Sequence, residues 1–133
     1  MASLEDPAVR GLLEPANYVV VSTLNEDGSI HGAVVWISLE DGVLAVNSAQ
    51  GRKWPNNLER DPRITVIAYA GDNAYEYVEI RGTARGTRDD ADDHIDRLAK
   101  KYLGVDEYPA RQPGEVRIKY VITPERVRYQ KQR

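Results

Sequence analysis

The sequence predicts a mainly β domain: an antiparallel sheet curled into a small barrel, with α-helices packed outside it. Three observations carry this expectation. Strand-like runs rich in β-branched residues outnumber the helical stretches. Turn signals join the first three runs as hairpins. Helices do not alternate regularly with strands, as a doubly wound parallel sheet would require. The chain has 133 residues, the size of one ordinary domain. No internal repeat, low-complexity tract or linker divides it, so residues 1–133 are read as one domain.

The elements follow in order. Ser3–Glu14 places Leu4, Val9, Leu12 and Leu13 at loosely helical spacing, with Pro7 tolerable in the first turn. Asn17–Leu24 (NYVVVSTL) is β-branched and too short for a buried helix. Asn25–Ser29 (NEDGS) is a turn in which Gly28 can take positive φ. Ile30–Leu39 returns as the second strand of a hairpin. Glu40-Asp41-Gly42 turns the chain again, and Gly42–Ala49 is a third strand.

A basic loop follows, then a short helix at Asn56–Arg60, stopped by Asp61-Pro62 because a residue before proline is biased away from helix. Ile64–Ala70 and Tyr75–Thr87 are the fourth and fifth strands. Gly82 and Gly86 in the latter suggest a bulge or close packing. Arg88–Gly104 is the clearest helix. Ile95, Leu98, Ala99, Tyr102 and Leu103 make one apolar face, aspartates crowd its start and Lys100 and Lys101 its end. The proline-rich stretch Val105–Gly114 connects to a sixth strand, Glu115–Thr123. The tail ERVRYQKQR reads as a solvated basic terminus.

Composition narrows the function. There is no cysteine, so disulfides and thiolate metal sites are excluded, which fits a reducing compartment. No apolar run approaches the roughly 20 residues that a membrane helix needs. The acidic start, broken by Pro7 and Pro15, is not a secretory signal. A cytoplasmic protein without a membrane span is expected. The net charge of −3 argues against a nucleic-acid partner. In Asn17–Leu24 and Ile64–Ala70 both strand faces are largely apolar. One face lines the barrel; either the helices or a second copy of the chain covers the other, and a homodimer is the expectation.

The stretch GRKWPNNLERDPR (Gly51–Arg63) is the most informative. Arg52 and Lys53 supply adjacent cations where a helix begins, and the free N–H groups of a helix start favour an anion such as phosphate. Trp54 adds a flat face, to be read equally as core or as pocket wall. Phosphate-binding groups beside an aromatic wall suit a flavin-like cofactor. Asn57 is either a helix-start hydrogen-bonder or a site residue. Trp36 lies in a strand with Val34 and Ile37, where a core role is the simpler reading.

Other constellations carry less. Asp89, Asp90, Asp92, Asp93, His94 and Asp96 fan around a helix, and the helix dipole accounts for them better than a metal does. His31 is isolated in a hairpin. Glu76 and Glu79 differ in strand parity and face opposite sides. No serine or cysteine nucleophile arrangement is present, so no catalytic residue is assigned and no metal site is expected.

Taken together, LLEPANYVVVSTLNEDGSIHGAVVW, LAVNSAQGRKWPNNLERDPRITV, YVEIRGTARGT, KYLGVDEYP and the final RVRY resemble the split-barrel flavin and deazaflavin oxidoreductases, the pyridoxamine-phosphate-oxidase-like proteins. The NLxRDPR run (Asn57–Arg63) and the YxGxDxYP-like run (Tyr102–Pro109) point to the branch that uses the deazaflavin coenzyme F420. The resemblance implies a six-stranded antiparallel split barrel with flanking helices, the FMN-binding split barrel, forming a homodimer with two cofactor sites at the interface. It implies a cofactor ring against Val34, Val35 and Trp36 and against Val46, Asn47 and Ser48. It implies a phosphate held by Arg52 and Lys53 and by the helix start near Asn57, with Tyr75 and Tyr77 of the second copy closing the site.

One position departs from the pattern. Many relatives carry arginine, any residue, then lysine in the basic loop, whereas Trp54 stands here at the lysine position and Lys53 lies one place earlier.

The expected activity is hydride transfer from reduced F420 to a conjugated small-molecule substrate such as a quinone, an enone or a tetrapyrrole-like compound. The alternatives are an FMN-dependent split-barrel oxidoreductase and a non-catalytic carrier of flavin, deazaflavin or haem. The chain shows no further basic set for a phosphate on the substrate, which argues against an oxidase acting on pyridoxal vitamers. In hydride transfer the reactive atom belongs to the cofactor, so the lack of a catalytic constellation is in keeping with this reading.

Overall fold

The computed structural model describes residues 2–132. The elements are α1 (Pro7–Leu13), β1 (Val19–Leu24), β2 (Ile30–Val35), β3 (Ile37–Glu40), β4 (Val43–Ala49), α2 (Lys53–Arg60), β5 (Arg63–Ala70), β6 (Asn73–Thr87), α3 (Ala91–Leu103) and β7 (Arg117–Lys131). All strand pairs are antiparallel, in one sheet of order β2-β1-β5-β6-β7-β4-β3. The two edges of this sheet, β2 and β3, are separated in the chain by Trp36 alone. A flat sheet would hold its edges many strand widths apart, about 4.8 Å each. One residue cannot bridge that gap, so the sheet must curl until its edges meet. The mainly β barrel with flanking helices is therefore as expected.

The strand count is seven, not six. The run Ile30–Leu39 looks continuous by composition, yet it breaks at Trp36, and its halves pair at opposite edges: Val20 with Val34, but Ile37 with Val46. The basic tail is also not a solvated terminus. β7 continues through it and pairs with β6 as far as Lys131. Val127 is buried and Tyr129 packs against the core, while Arg126 and Arg128 point out. Pro124 sits in mid-strand opposite Gly82 at a register shift, where a missing N–H is tolerated. The helix after the basic loop starts at Lys53, with Pro55 in its first turn.

One core fills the barrel. Val19 and Val21, Leu44 and Val46, Ile64 and Val66, and Val78 and Ile80 point into it, closed by Leu12 and Leu13 of α1 and by Trp54 and Leu58 of α2. Gly82 is required by close approach, since a Cβ there would lie 2.1 Å from the Thr123 carbonyl oxygen. Helix α3 lies on the outer side of β4 and β7, burying Ala91, His94, Ile95, Leu98 and Ala99, while Leu103 is exposed. The outer face of β2, β1, β5 and β6 is different. Tyr18, Ile30, Val34, Tyr69 and Tyr75 are exposed there, with Val20 and Ile67 half-covered between them. Among the described residues no helix of the chain is long and apolar enough to cross a membrane.

Candidate functional site

A cleft of about 230 Å³ opens where the curled sheet edges meet the start of α2 and the flank of α3. Val34 and Val35 end β2 on one side of it, and Trp36 follows them between the strands. Asn47 and Ser48 come from β4. Arg52 and Trp54 come from the start of α2. These seven are the expected site residues that the fold brings together. Val46 points into the core and does not line the cleft. Lys53 is exposed and does not line the cleft.

Asn57 is buried away from the cleft. Its Nδ2 donates to Thr23 Oγ1 and Asn25 Oδ1, both at 3.0 Å, and so ties α2 to the β1–β2 hairpin. Tyr75 and Tyr77 lie on β6, on the uncovered outer face, and do not line the cleft of their own chain. Trp54 is both core and wall: it packs against Tyr120 at 5.4 Å between ring centroids, yet one side reaches the cleft.

Further aromatic residues, not named among the expected site residues, gather around Trp36. Trp36 stacks on Tyr102 at 5.3 Å with an interplanar angle of 7°, and Tyr108 meets it edge-on at 6.0 Å. The Tyr102 hydroxyl donates to the Asn17 carbonyl at 2.6 Å and accepts from the Ile37 N–H at 3.2 Å, so it pins the crossing between the sheet edges. Tyr18 lines the cleft beside Val34 and leads onto the exposed apolar face.

The electrostatics are set by two arginines and one carboxylate. Glu115 accepts from Arg117 at 2.8 Å and from Arg52 at 3.3 Å. Burial works against the Glu115 charge, but the two guanidiniums more than offset it and hold its pKa below the usual value. Arg52 is the residue before α2 and remains half-exposed. No side chain caps the helix start, and the N–H groups of Lys53 and Trp54 precede Pro55, which has none. That corner therefore offers a guanidinium, helix-start N–H groups and the positive end of a helix dipole.

Behind β4 lies a buried polar chain. Asn47 Nδ2 donates to the Ala91 carbonyl at 2.9 Å and to His94 Nδ1 at 3.1 Å, and its Oδ1 accepts from Arg117 Nε at 3.0 Å. The carbonyl can only accept and the guanidinium can only donate, so the amide orientation is forced. His94 Nδ1 must then be unprotonated, and Nε2–H donates to Ser38 Oγ at 2.8 Å. Burial, reinforced by Lys119 and Arg97 and only partly opposed by Glu40 and Asp90, pushes the His94 pKa down to about 4. Three aspartates at the start of α3 and within it are held in ion pairs: Asp90 with Arg97 and Lys119, Asp92 and Asp96 with Arg111.

The sequence held a trace of His94, which lies three residues after Ala91 and four before Leu98, on the buried stripe. Nothing in it revealed that Arg117 would reach Asn47 across 70 residues.

Comparison with known proteins agrees with this architecture. The chain is similar to a solved F420 reductase, with TM-score 0.77 and 23% identity over 90% of this chain and 94% of that one. It is also similar to General Stress Protein 26 of Bacillus anthracis, with TM-score 0.69 and 21% identity over 92% and 91%. A conserved hypothetical protein of Mycobacterium tuberculosis gives TM-score 0.75 and 20% identity over 98% and 85%. At these identities the likeness establishes the split-barrel fold. No functionally curated protein matches the chain in sequence. Residues 5–131, nearly the whole length, match the sequence pattern of pyridoxamine 5'-phosphate oxidase, and the chain belongs to that family.

Proposed function

We propose that the cleft binds a flavin-type cofactor, coenzyme F420 in first place, and that the protein is an oxidoreductase passing hydride to a conjugated small molecule such as a quinone, an enone or a tetrapyrrole-like compound. The observation that carries this reading is the meeting of an aromatic wall with an anion-binding corner in one cleft: Trp36 and Trp54 beside Arg52 and the open start of α2. The donor set suits a phosphate joined to a planar ring. Such a cofactor, when bound, supplies the hydride-carrying atom. The chain's own residues bind it, orient it and keep water away. Likeness to a solved F420 reductase supports the deazaflavin. Trp54 in place of the lysine many relatives carry there keeps FMN as the alternative, and a carrier without turnover is the other.

The assembly belongs to the same proposal. The cleft wall formed by Val34 and Tyr18 continues onto the exposed apolar face of the sheet. A second copy docked on that face would cover it and bring its own Tyr75 and Tyr77 towards the cleft. A homodimer with two shared sites follows.

The test is fluorescence titration with F420 and FMN, then oxidation of the reduced cofactor with a panel of quinones. F420 affinity with turnover supports the reading. Binding without turnover favours the carrier, and tight FMN binding without F420 affinity overturns the choice of cofactor. Arg52→Ala is expected to weaken binding by about 1.5 kcal/mol, the low end for a charged hydrogen bond because its side chain is half-exposed. Unchanged affinity would place the anion elsewhere.

A further inference from the structure

We propose that Arg117 is the donor that reads the polar edge of the bound ring, offering Nη2 to a carbonyl oxygen of a planar conjugated heterocycle, with Asn47 as its positioning residue. This rests on the cleft being a cofactor site, and it deepens that reading by naming which side chain sees the ring and not the phosphate.

Arg117 is 4% exposed, yet it lines the cleft. Two of its three nitrogens are committed: Nε to Asn47 Oδ1 at 3.0 Å and Nη1 to Glu115 Oε1 at 2.8 Å. Nη2 has no acceptor among the described residues, and no unpartnered side-chain nitrogen is sealed from solvent. It therefore opens into the cleft. A guanidinium nitrogen has only N–H groups to offer, so Nη2 is left facing the cleft as a donor for an incoming acceptor. The Tyr108 ring lies 5.0 Å from the guanidinium carbon and holds its plane.

Charge decides which acceptor fits. Glu115 already balances Arg117 at 2.8 Å, so the remaining N–H suits a neutral or weakly anionic oxygen in a space bordered by Trp36, Ile95 and Leu98. A phosphate dianion would have to be desolvated there. Arg52, half-exposed and more loosely paired at 3.3 Å, is the better phosphate partner. The two arginines thus divide the ligand, with the ring edge at Arg117 and the phosphate at Arg52. Asn47 acts through Arg117. Its Nδ2 hydrogens go to Ala91 and His94 and its Oδ1 accepts from Arg117, which leaves no donor for the ligand.

The test uses ligand pairs that differ in the phosphate-bearing tail: riboflavin against FMN, and the deazaflavin analogue of riboflavin against F420. Removing Arg117 alone strands the Glu115 carboxylate, so the double variant Glu115→Gln/Arg117→Gln accompanies Arg117→Gln and keeps the pair neutral. With the melting temperature as a check on folding, the double variant is expected to lose about tenfold in affinity for both members of whichever pair binds. Arg52→Ala is expected to lose affinity only for the phosphorylated member. Asn47→Ser should weaken ring binding where Arg117 is present and add nothing to Arg117→Gln. Equal riboflavin-type affinity in wild type and double variant overturns the role of Arg117 and leaves the cofactor reading standing. Additive loss from Asn47→Ser overturns the positioning role. A wild type that binds none of the four ligands overturns both the inference and the cofactor reading.

Discussion

His94 gives the protein an acid-sensitive window that can be calculated from its surroundings. The imidazole is buried between Ser38 and Asn47 and must stay neutral to accept the Asn47 amide proton. Its pKa falls from 6.5 to about 4 on folding. The unfolded chain therefore takes up this proton first as pH drops. The stabilisation is complete above about pH 6.5, declines as pH falls towards 4, and changes no further once both states are protonated. A shift of that size amounts to about 3 kcal/mol across the window. For a chain of this length that is about 10 °C in melting temperature.

The assay is thermal unfolding between pH 7.5 and 4, at one protein concentration and one salt, for wild type and His94→Gln. Glutamine can still accept and donate a hydrogen bond but cannot take up the proton. The variant should be somewhat less stable at pH 7.5 and distinctly flatter between pH 6.5 and 4.5. Carboxylates held low by cations, such as Glu40 by Arg97, contribute losses at lower pH in both proteins. Parallel pH profiles for the two would refute the argument, because the loss would then come from groups other than His94.

Three further outcomes test the frame around the cleft. Gly82→Ala drives a Cβ to 2.1 Å from the Thr123 carbonyl oxygen, and backbone cannot swing aside, so a loss of at least about 2 kcal/mol is expected in urea unfolding; an unchanged midpoint would contradict the close approach of β6 and β7. Tyr102→Phe keeps the stack on Trp36 but strips the Ile37 N–H and the Asn17 carbonyl of their partner, which should destabilise by about 1–3 kcal/mol; equal stability would mean the hydroxyl does not pin the crossing. Ile67→Lys puts a charge on the uncovered sheet face opposite Glu79, where the protomer can accommodate it. Sedimentation should then show a monomer where wild type is a dimer, and a monomeric wild type would remove the case for pairing.

The legible parts of the fold were those carried by local pattern. The β-branched runs, the Asn25–Ser29 turn and the stripe of Ile95, Leu98 and Ala99 each report on neighbours a few residues away. The basic corner was legible for the same reason, since Arg52 and Trp54 are close in sequence and a helix start is a local event. Errors arose where a local cue was overruled at a distance. The strand read as Glu115–Thr123 runs on through Pro124, which sits opposite Gly82. Asn57 could be read as a helix-start hydrogen-bonder or as a site residue, and its amide reaches instead to the hairpin at Thr23 and Asn25.

By itself, then, the sequence determined a curled antiparallel domain with a cation and an indole at one helix start, because periodicity and turn chemistry act over a handful of residues. Tertiary structure alone decided that Ile30–Leu39 is two strands on opposite edges, that the basic tail is a strand, and that Asn47 is tied to Arg117. The physical reason is pairing. Which backbone edge a strand meets, and which donor a buried amide satisfies, depend on partners as far off in sequence as Ile122 is from Leu44 or Arg117 from Asn47, which no local pattern encodes.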